Sequence, residues 1–438
     1  MNRILDSRHF RALYAKRAIV IGNQERRSGR GRLLLGGLAM AASATLVLYV
    51  LYRSWDYVKV DLDVYRLGGS AILYGHALYG PLVQYHGFPF TYTPFSAMLF
   101  VPLAVLSRQP AQLLWTALSL ICLTGFLWQA VEYAAPRRSR RTRVLTTAVT
   151  LGLALLLRPV RENFELGQIN IVLAFAILLD LRRRTGRIPG GVLLGIAAAI
   201  KLTPLLFIPY LFLTGRRRDA ITAAGTFLAC TVAGALVALH ASVQYWTKLA
   251  WDPSHVRAAG PEGPAFVTNQ SLYGFFSRVM QGSEHVGMLY TGSSLLALAM
   301  GLGLAVHARR TGRAMIGDIL CACTALLLSP ISWSPHWVWV IPAMLWLTIS
   351  EDAPRWGKPA AAGCFLLFAL GPIYWVPNNT EYHWHGWELL AGNSYLLAAV
   401  VFIAGTGHYL LTSRQPGRHQ GGRDPVRTGA ATVADPPP

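Results

Sequence analysis

The sequence predicts an all-α, polytopic membrane protein, and three observations predict it. Of the 438 residues, 53% are hydrophobic and 14% are charged, where soluble domains carry about 25% charge. Apolar runs of membrane-spanning length recur from Leu33 to Leu411, and they leave no room for a separate soluble domain. The net charge is +20, with arginines gathered in short clusters between the apolar runs. That placement suits loops facing anionic headgroups better than a nucleic-acid surface.

The first 32 residues hold nine Arg or Lys and precede the apolar run 33–52, with no small-residue cleavage site close behind it. They read as a basic cytoplasmic segment, 1–32, ahead of a retained first span. Further candidate spans lie at 111–133, 144–157, 169–181, 190–200, 203–213, 220–239, 287–308, 315–328, 337–349, 360–375 and 389–411. Twelve crossings place both termini in the cytoplasm. Several runs fall short of the roughly 20 residues that a perpendicular helix needs. Short, interrupted spans are typical of proteins whose helices break around a polar cavity.

Two choices complete the topology. The stretch 92–107, with Pro94 and Pro102, is read as re-entrant or interfacial, and the run 190–213 is split at Lys201–Thr203. The basic clusters 137–143, 182–187, 216–218 and 309–313 then all face the cytoplasm, as the positive-inside rule prefers. The polar segments 59–91, 158–168, 201–204, 240–282, 329–336 and 377–393 all fall on the outer side. A plasma-membrane protein with its chemistry on the extracytoplasmic face is expected. Its membrane domain covers 33–411, and a Gly-, Pro- and Arg-rich tail, 412–438, is expected to be disordered in the cytoplasm.

The outer segments hold the candidate residues. Asp61 and Asp63 follow the first span in a chain with only 20 acidic residues. Carboxylates at a membrane edge are costly to desolvate and tend to be kept for a purpose. Asp61 is read as a catalytic base, or else both aspartates hydrate a helix end. A surface helix is expected over 65–78. The aromatic residues from Tyr79 to Tyr92 suit either carbohydrate rings or a headgroup belt. Arg158 and Arg161 either hold a phosphate or pair with Glu162 and Glu165. Lys201, inside an apolar run and three residues before Pro204, is either a phosphate ligand beside a helix break or a snorkelling side chain. Asn269, Gln270 and Arg278 suit sugar hydroxyls or a phosphate, with helix capping as the plainer alternative. Trp333 and His336 lie in a Ser/Trp turn between prolines, where a histidine either donates to a phosphate or is structural.

Other chemistries find no support. His383-x-His385 lacks further placed ligands, so no metal is expected. The cysteines 122, 230, 321, 323 and 364 lie in apolar segments without zinc-ligand spacing and read as packing residues. No G-x-x-x-x-G-K-[ST] loop, strand-linked G-x-G-x-x-G or Gly-x-Ser-x-Gly elbow occurs.

Six short motifs occur in order: Asp61-Leu-x-Val-Tyr65, Phe90-Thr-Tyr-Thr-Pro94, Gly167-Gln-Ile-Asn170, Lys201-Leu-Thr-Pro204, Asn269-Gln-Ser-Leu272 with Arg278, and Ser329-Pro-Ile-Ser-Trp333 with His336. Together they resemble the actinobacterial polyprenol-phosphate-mannose-dependent α-(1→2)-mannosyltransferases, glycosyltransferase family 87 of the GT-C class. The resemblance covers about 61–395. The family shows two successive histidines near the last motif, whereas Pro335 precedes His336 here.

The resemblance implies a GT-C transmembrane catalytic domain of about 12 helices, with outward loops forming the active site. The implied donor is polyprenol-phosphate-mannose, used without cofactor or metal. The implied acceptor is a mannosylated phosphatidylinositol, extended from the tetramannosylated to the pentamannosylated form with inversion. The alternative acceptor is lipomannan or lipoarabinomannan, receiving α-(1→2) branches. Asp61 and His336 would serve catalysis. Asp63, Tyr65, Arg158, Arg161, Gln168, Lys201, Asn269, Gln270, Arg278 and Trp333 would bind substrate. A transporter or flippase of lipid-linked sugars is the competing class, but few charges here are placed to line a path across the membrane.

Overall fold

The computed structural model describes residues 36–38, 40–53, 58–182, 188–252, 256 and 263–413. The basic segment expected at 1–32 and nearly all of the tail expected at 412–438 lie outside the described residues. So do 183–187 of the inner cluster 182–187, and 253–255 and 257–262 of the outer loop 240–282.

In order, the first elements are α1 (Gly36–Arg53), α2 (Val60–Tyr74), the strand pair β1 (Gln84–Tyr85) and β2 (Phe88–Pro89), α3 (Pro94–Ala104), α4 (Arg108–Ala134), α5 (Arg140–Ala154) and α6 (Arg158–Leu166). There follow α7 (Asn170–Arg182), α8 (Val192–Ile200), α9 (Phe207–Leu213), α10 (Arg217–Val237), α11 (Leu239–Gln244) and α12 (Leu272–Val279). The last are α13 (Val286–Ala297), α14 (Gly303–Arg310), α15 (Ala314–Leu328), α16 (Val340–Ile349), α17 (Gly357–Leu370), α18 (Trp387–Gly392) and α19 (Ser394–Thr412).

Among the described residues, six segments of 18 to 27 residues are long and apolar enough to cross a membrane: α1, α4, α10, Val286–Arg310, Gly357–Tyr374 and α19. Each of the other expected spans contains a helix, but a shorter one. The chain is an all-α multi-pass membrane protein, and the count of twelve crossings does not follow from it.

Burial separates the centre from the periphery. More than half of the most apolar stretch of α4 (56%) is buried inside the protein, against 17% in α10 and 11% in Val286–Arg310. The outer helices therefore turn apolar side chains such as Leu228, Leu236 and Leu295 outward, as lipid-facing helices do. Against α4 pack α5, α7 and α16, and α15 is buried along almost its whole length.

Three local features position the polar interior. Helix α2 follows α1 and packs along α3, so closely that a Cβ on Gly69 would meet the Phe100 carbonyl oxygen at 2.6 Å. The strands join through His86 (φ 49°) and Gly87 (φ 83°), as in hairpins whose turns need left-handed residues. Finally, α5 and α6 meet at 73°. Most of the polar segment 158–168 is this short helix. Pro159 near its start lacks only an amide that a first turn leaves unpaired, and Gly167 (φ 74°) ends it in the left-handed conformation.

The break expected at Lys201 is present. Helix α8 stops at Ile200, Lys201 is extended (φ −144°, ψ 131°), and Thr203–Leu206 forms a 3-10 turn ahead of α9. The stretch 92–107 holds the 11-residue helix α3, with Pro102 inside it.

Candidate functional site

Asp61 lies in the first turn of α2 and lines two adjoining cavities. The larger, about 570 Å³, also takes in Lys201, His336 and Tyr245, with apolar walls from Leu205, Leu206 and Leu328. The smaller, about 380 Å³, is bounded by Phe88, Arg158, Glu162 and Tyr374. Tyr92, Gln168 and Trp333 line both. A carboxylate therefore stands where two chambers meet.

A chain of hydrogen bonds fixes that carboxylate. Gly167 ends α6 in a turn whose carbonyl accepts from Trp115 Nε1 at 2.8 Å, which places Gln168 beside α2. Gln168 Oε1 accepts from Tyr65 Oη (3.3 Å), Tyr92 Oη (3.3 Å) and Asn170 Nδ2 (3.0 Å). Its carbonyl side being taken, the amide is the group left to favour the Asp61 carboxylate. Burial pushes the Asp61 carboxyl up to about 6, against the opposing pull of the Gln168 hydrogen bond and the Lys201 charge. Asp61 is half-buried rather than sealed, so solvent in the cavity moderates that shift.

On the far side, Lys201 Nζ donates to Asn170 Oδ1 (2.9 Å) and lies 2.6 Å from His336 Nε2. At that distance one of the two nitrogens carries a lone pair and the other donates. Lys201 Nζ also sits 5.6 Å from the centre of the Tyr92 ring. The backbone break after α8 delivers this lysine, and the 3-10 turn Ser334–Trp339 delivers the histidine. Lysine, imidazole and carboxylate thus share one chamber whose remaining wall is mostly apolar.

Several residues expected to bind substrate are placed elsewhere. Asp63 is buried and paired with Arg66 (3.3 Å) and Arg108, so it locks α2 to the start of α4. Arg278 is fully buried. Its guanidinium donates to Asn393 Oδ1 and to the carbonyls of Ala265 (2.9 Å), Phe266 (3.2 Å) and Asn269 (2.9 Å). Gln270 bridges the Val267 and Gly392 carbonyls (both 2.7 Å) to the amide of Tyr395 (3.2 Å). Asn269 donates to Pro330 O (3.1 Å) and accepts from Ser332 N (2.8 Å), and it bridges to Trp333 as an isolated β pair. Asn269, Gln270 and Arg278 line neither chamber. They form a clasp that holds the Trp333 turn, and through it His336, against α19. Their donors and acceptors meet backbone groups because the irregular segments around them cannot satisfy their own.

Tyr65 is likewise a positioning residue, bonded to Tyr92 Oη (2.9 Å) and stacked on Phe100. Arg158 borders the smaller chamber, 4.9 Å from the Tyr374 ring centre. Arg161 pairs loosely with Glu165 (3.5 Å) and lines a different cavity. Sequence reasoning gave Tyr92 only as one of several aromatic residues suited to carbohydrate rings, and it did not single out Tyr245, Glu162 and Tyr374 as site residues. Tyr92 carries a signal, its place in Phe90-Thr-Tyr-Thr-Pro94. Glu162 was visible only as a partner for arginine, and Tyr245 and Tyr374 lie in segments whose aromatic residues look alike.

Residues 90–330 match the model of glycosyltransferase family 87, a span that includes Gln168 and Lys201 and leaves Asp61 and His336 outside it. The chain is 32% identical over 400 residues to the polyprenol-phosphate-mannose-dependent alpha-(1-2)-phosphatidylinositol mannoside mannosyltransferase of Mycobacterium tuberculosis, covering 86% of this chain and 91% of that one. The protein of the same description in Mycolicibacterium smegmatis is 31% identical over 412 residues, covering 87% and 92%. A polyprenol-phosphate-mannose-dependent alpha-(1-2)-phosphatidylinositol pentamannoside mannosyltransferase of Mycolicibacterium smegmatis is 34% identical over 327 residues, covering 71% and 76%. No solved structure matches the chain.

Proposed function

Because the chain belongs to glycosyltransferase family 87, we propose that it transfers mannose from polyprenol-phosphate-mannose to a phosphatidylinositol mannoside, forming an α-(1→2) bond. The observation that carries this reading is Asp61 at the junction of two chambers. A transferase must bring a donor and an acceptor to one base from different sides, and a path for a single solute needs no such junction.

The donor belongs in the larger chamber. Its apolar wall suits a polyprenol chain, and Lys201 with His336 suits the phosphate that leaves. The acceptor glycan belongs in the smaller chamber, among Phe88, Tyr374, Arg158 and Glu162. Asp61 takes the proton of the attacking hydroxyl as the new bond forms at the anomeric carbon and the bond to phosphate oxygen breaks. Displacement in one step inverts a β-linked donor to an α product. The leaving group is already a phosphate, so the reading requires no nucleotide or metal.

The catalytic unit is the membrane domain 33–411, with its site at the extracytoplasmic surface of the plasma membrane and both termini in the cytoplasm. The acceptor in this reading is the tetramannosylated form. The relative described as a pentamannoside mannosyltransferase favours, as a second reading, an acceptor one mannose longer.

The test uses purified protein, polyprenol-phosphate-[¹⁴C]mannose and phosphatidylinositol mannosides of defined length. The expected result is labelled lipid one mannose longer, its new linkage α-(1→2) by NMR. Uptake of labelled donor into vesicles without any labelled glycolipid product would favour a transporter instead.

A further inference from the structure

Besides Asp61, the smaller chamber is lined by a second carboxylate in the protein interior, Glu162. It stands on α6 one turn after Arg158, which lines the same chamber. Glu162 Oε1 accepts from Tyr374 Oη, and the Arg158 guanidinium lies over the Tyr374 ring, 4.9 Å from its centre. Gly371 makes room for this trio. Its φ is 61°, and a Cβ there would meet Arg158 Cγ at 2.8 Å and Tyr374 Cδ2 at 3.1 Å.

The trio is held in fixed relation to the reacting groups. Asn163, next to Glu162, is fully buried, and its amide donates to the Pro159 and Pro335 carbonyls (both 2.7 Å). That ties α6 to the 3-10 turn that carries His336. At the other end of α6, Gly167 comes close against Leu62, the neighbour of Asp61. Phe88 and Trp333 add aromatic walls to the chamber.

Asp63 and Asp318 border neither chamber and are paired with arginines. Glu162 borders one, and it is hydrogen-bonded by a phenol hydroxyl. A sugar presents the same class of donor. A carboxylate has about four acceptor sites, so one hydroxyl does not exhaust it. Burial pushes the Glu162 carboxyl up to about 7, against the pull of the Tyr374 hydrogen bond. In either protonation state it keeps acceptor oxygens for hydroxyls.

We propose that Glu162 is the residue that reads the acceptor: its carboxyl group accepts from the 3- and 4-hydroxyls of the acceptor's terminal mannose and so turns the 2-hydroxyl towards Asp61. The proposal rests on the reading that a mannosylated acceptor occupies the smaller chamber. Those two hydroxyls are neighbours on the ring, and both remain when the 2-hydroxyl attacks.

The full chain in nanodiscs is assayed with polyprenol-phosphate-[¹⁴C]mannose and acceptors of one length whose terminal mannose is unmodified, 3-deoxy, 4-deoxy or 6-deoxy. The proteins are the unsubstituted chain and Glu162→Gln. Loss of a charge-assisted hydrogen bond predicts kcat/KM about ten-fold lower for the unsubstituted protein on the 3-deoxy and 4-deoxy acceptors. Glu162→Gln should lose at least about as much on the unmodified acceptor, and little more on the 3-deoxy and 4-deoxy ones, because the two changes remove the same contact. The 6-deoxy change should cost both proteins equally, and KM for the donor should hold.

An equal fall for all the acceptors in Glu162→Gln would overturn the proposal in favour of a structural role. So would an unsubstituted protein that uses the 3-deoxy and 4-deoxy acceptors as well as the unmodified one. Should Glu162→Gln fail to fold, Tyr374→Phe keeps the carboxyl group and removes only the hydroxyl that orients it. Weaker discrimination against the 3-deoxy and 4-deoxy acceptors is then expected, and undiminished discrimination would overturn the proposal. If the unsubstituted protein transfers to no acceptor at all, the mannosyltransferase reading fails and this proposal with it, an outcome distinct from transfer without discrimination.

Discussion

Two aspartates two residues apart end in opposite electrostatic settings. Asp63 meets Arg66 and Arg108 and is spent on packing. Asp61 is favoured as a carboxylate by Gln168, feels Lys201 and opens on both chambers. Its carboxyl is raised to about 6, so the protonated form is favoured at low pH and the carboxylate needed by a base appears as pH rises through that value. Transfer should therefore fall about ten-fold per pH unit well below 6 and level off above it. Gln168→Leu removes a hydrogen bond that lowers this pKa, so the rising limb should move to higher pH. A pH–rate profile of both proteins checks this, and an unmoved limb in the variant would place the titrating group elsewhere. The sequence showed the pair of aspartates and, by resemblance, favoured the first. It could not show the arginine partners of Asp63, because Arg108 comes 45 residues later.

At the scale of the element, what the sequence concealed was direction. The polar stretch 158–168 was legible as a site segment, but its bend of 73° against α5 and the two cavities it borders depend on neighbours. Gly167 is where this element meets α2. Its φ is 74°, and a Cβ there would approach Leu62 Cβ to 2.7 Å. The left-handed conformation alone costs an alanine about 1–2 kcal/mol, and the close contact adds to it. Gly167→Ala should lower the melting temperature in detergent and reduce transfer more than stability explains, since Gln168 follows directly. Full activity with an unchanged melting temperature would show that α2 and α6 tolerate separation. The motif Asn269-Gln-Ser-Leu272 with Arg278 was legible as important, with ligand binding and helix capping both open. A motif does not reveal whether its amides face a substrate or backbone carbonyls, and here they face carbonyls.

At the scale of the whole molecule, buried carboxylates away from the site, such as Asp63 and Asp318, are paired with arginines. Asp318 accepts from Tyr133 (2.9 Å), Tyr210 (2.7 Å) and Arg309 (2.5 Å), tying α4, α9, α14 and α15 together at a place bordering neither chamber of Asp61. Such a charge in an apolar interior persists because it is paired and hydrogen-bonded. The sequence revealed the membrane class, the helical segments and the break at Lys201. It did not reveal how many helices cross, because short apolar helices such as α3, α8 and α9 leave crossing undecided by length. Nor could it show that Asp61 and Lys201, 140 positions apart, are electrostatically coupled across one chamber.

The central claim is that this carboxylate, and not its neighbour, is the base. The direct measurement is single-turnover transfer of labelled mannose by purified Asp61→Asn and Asp63→Asn proteins, each first shown to be folded and inserted. Asp61→Asn should lose transfer by at least about a hundred-fold with its melting temperature near that of the unsubstituted protein. Asp63→Asn should lose stability yet keep a measurable rate. Near-normal transfer by Asp61→Asn beside a folded but inactive Asp63→Asn would contradict the account.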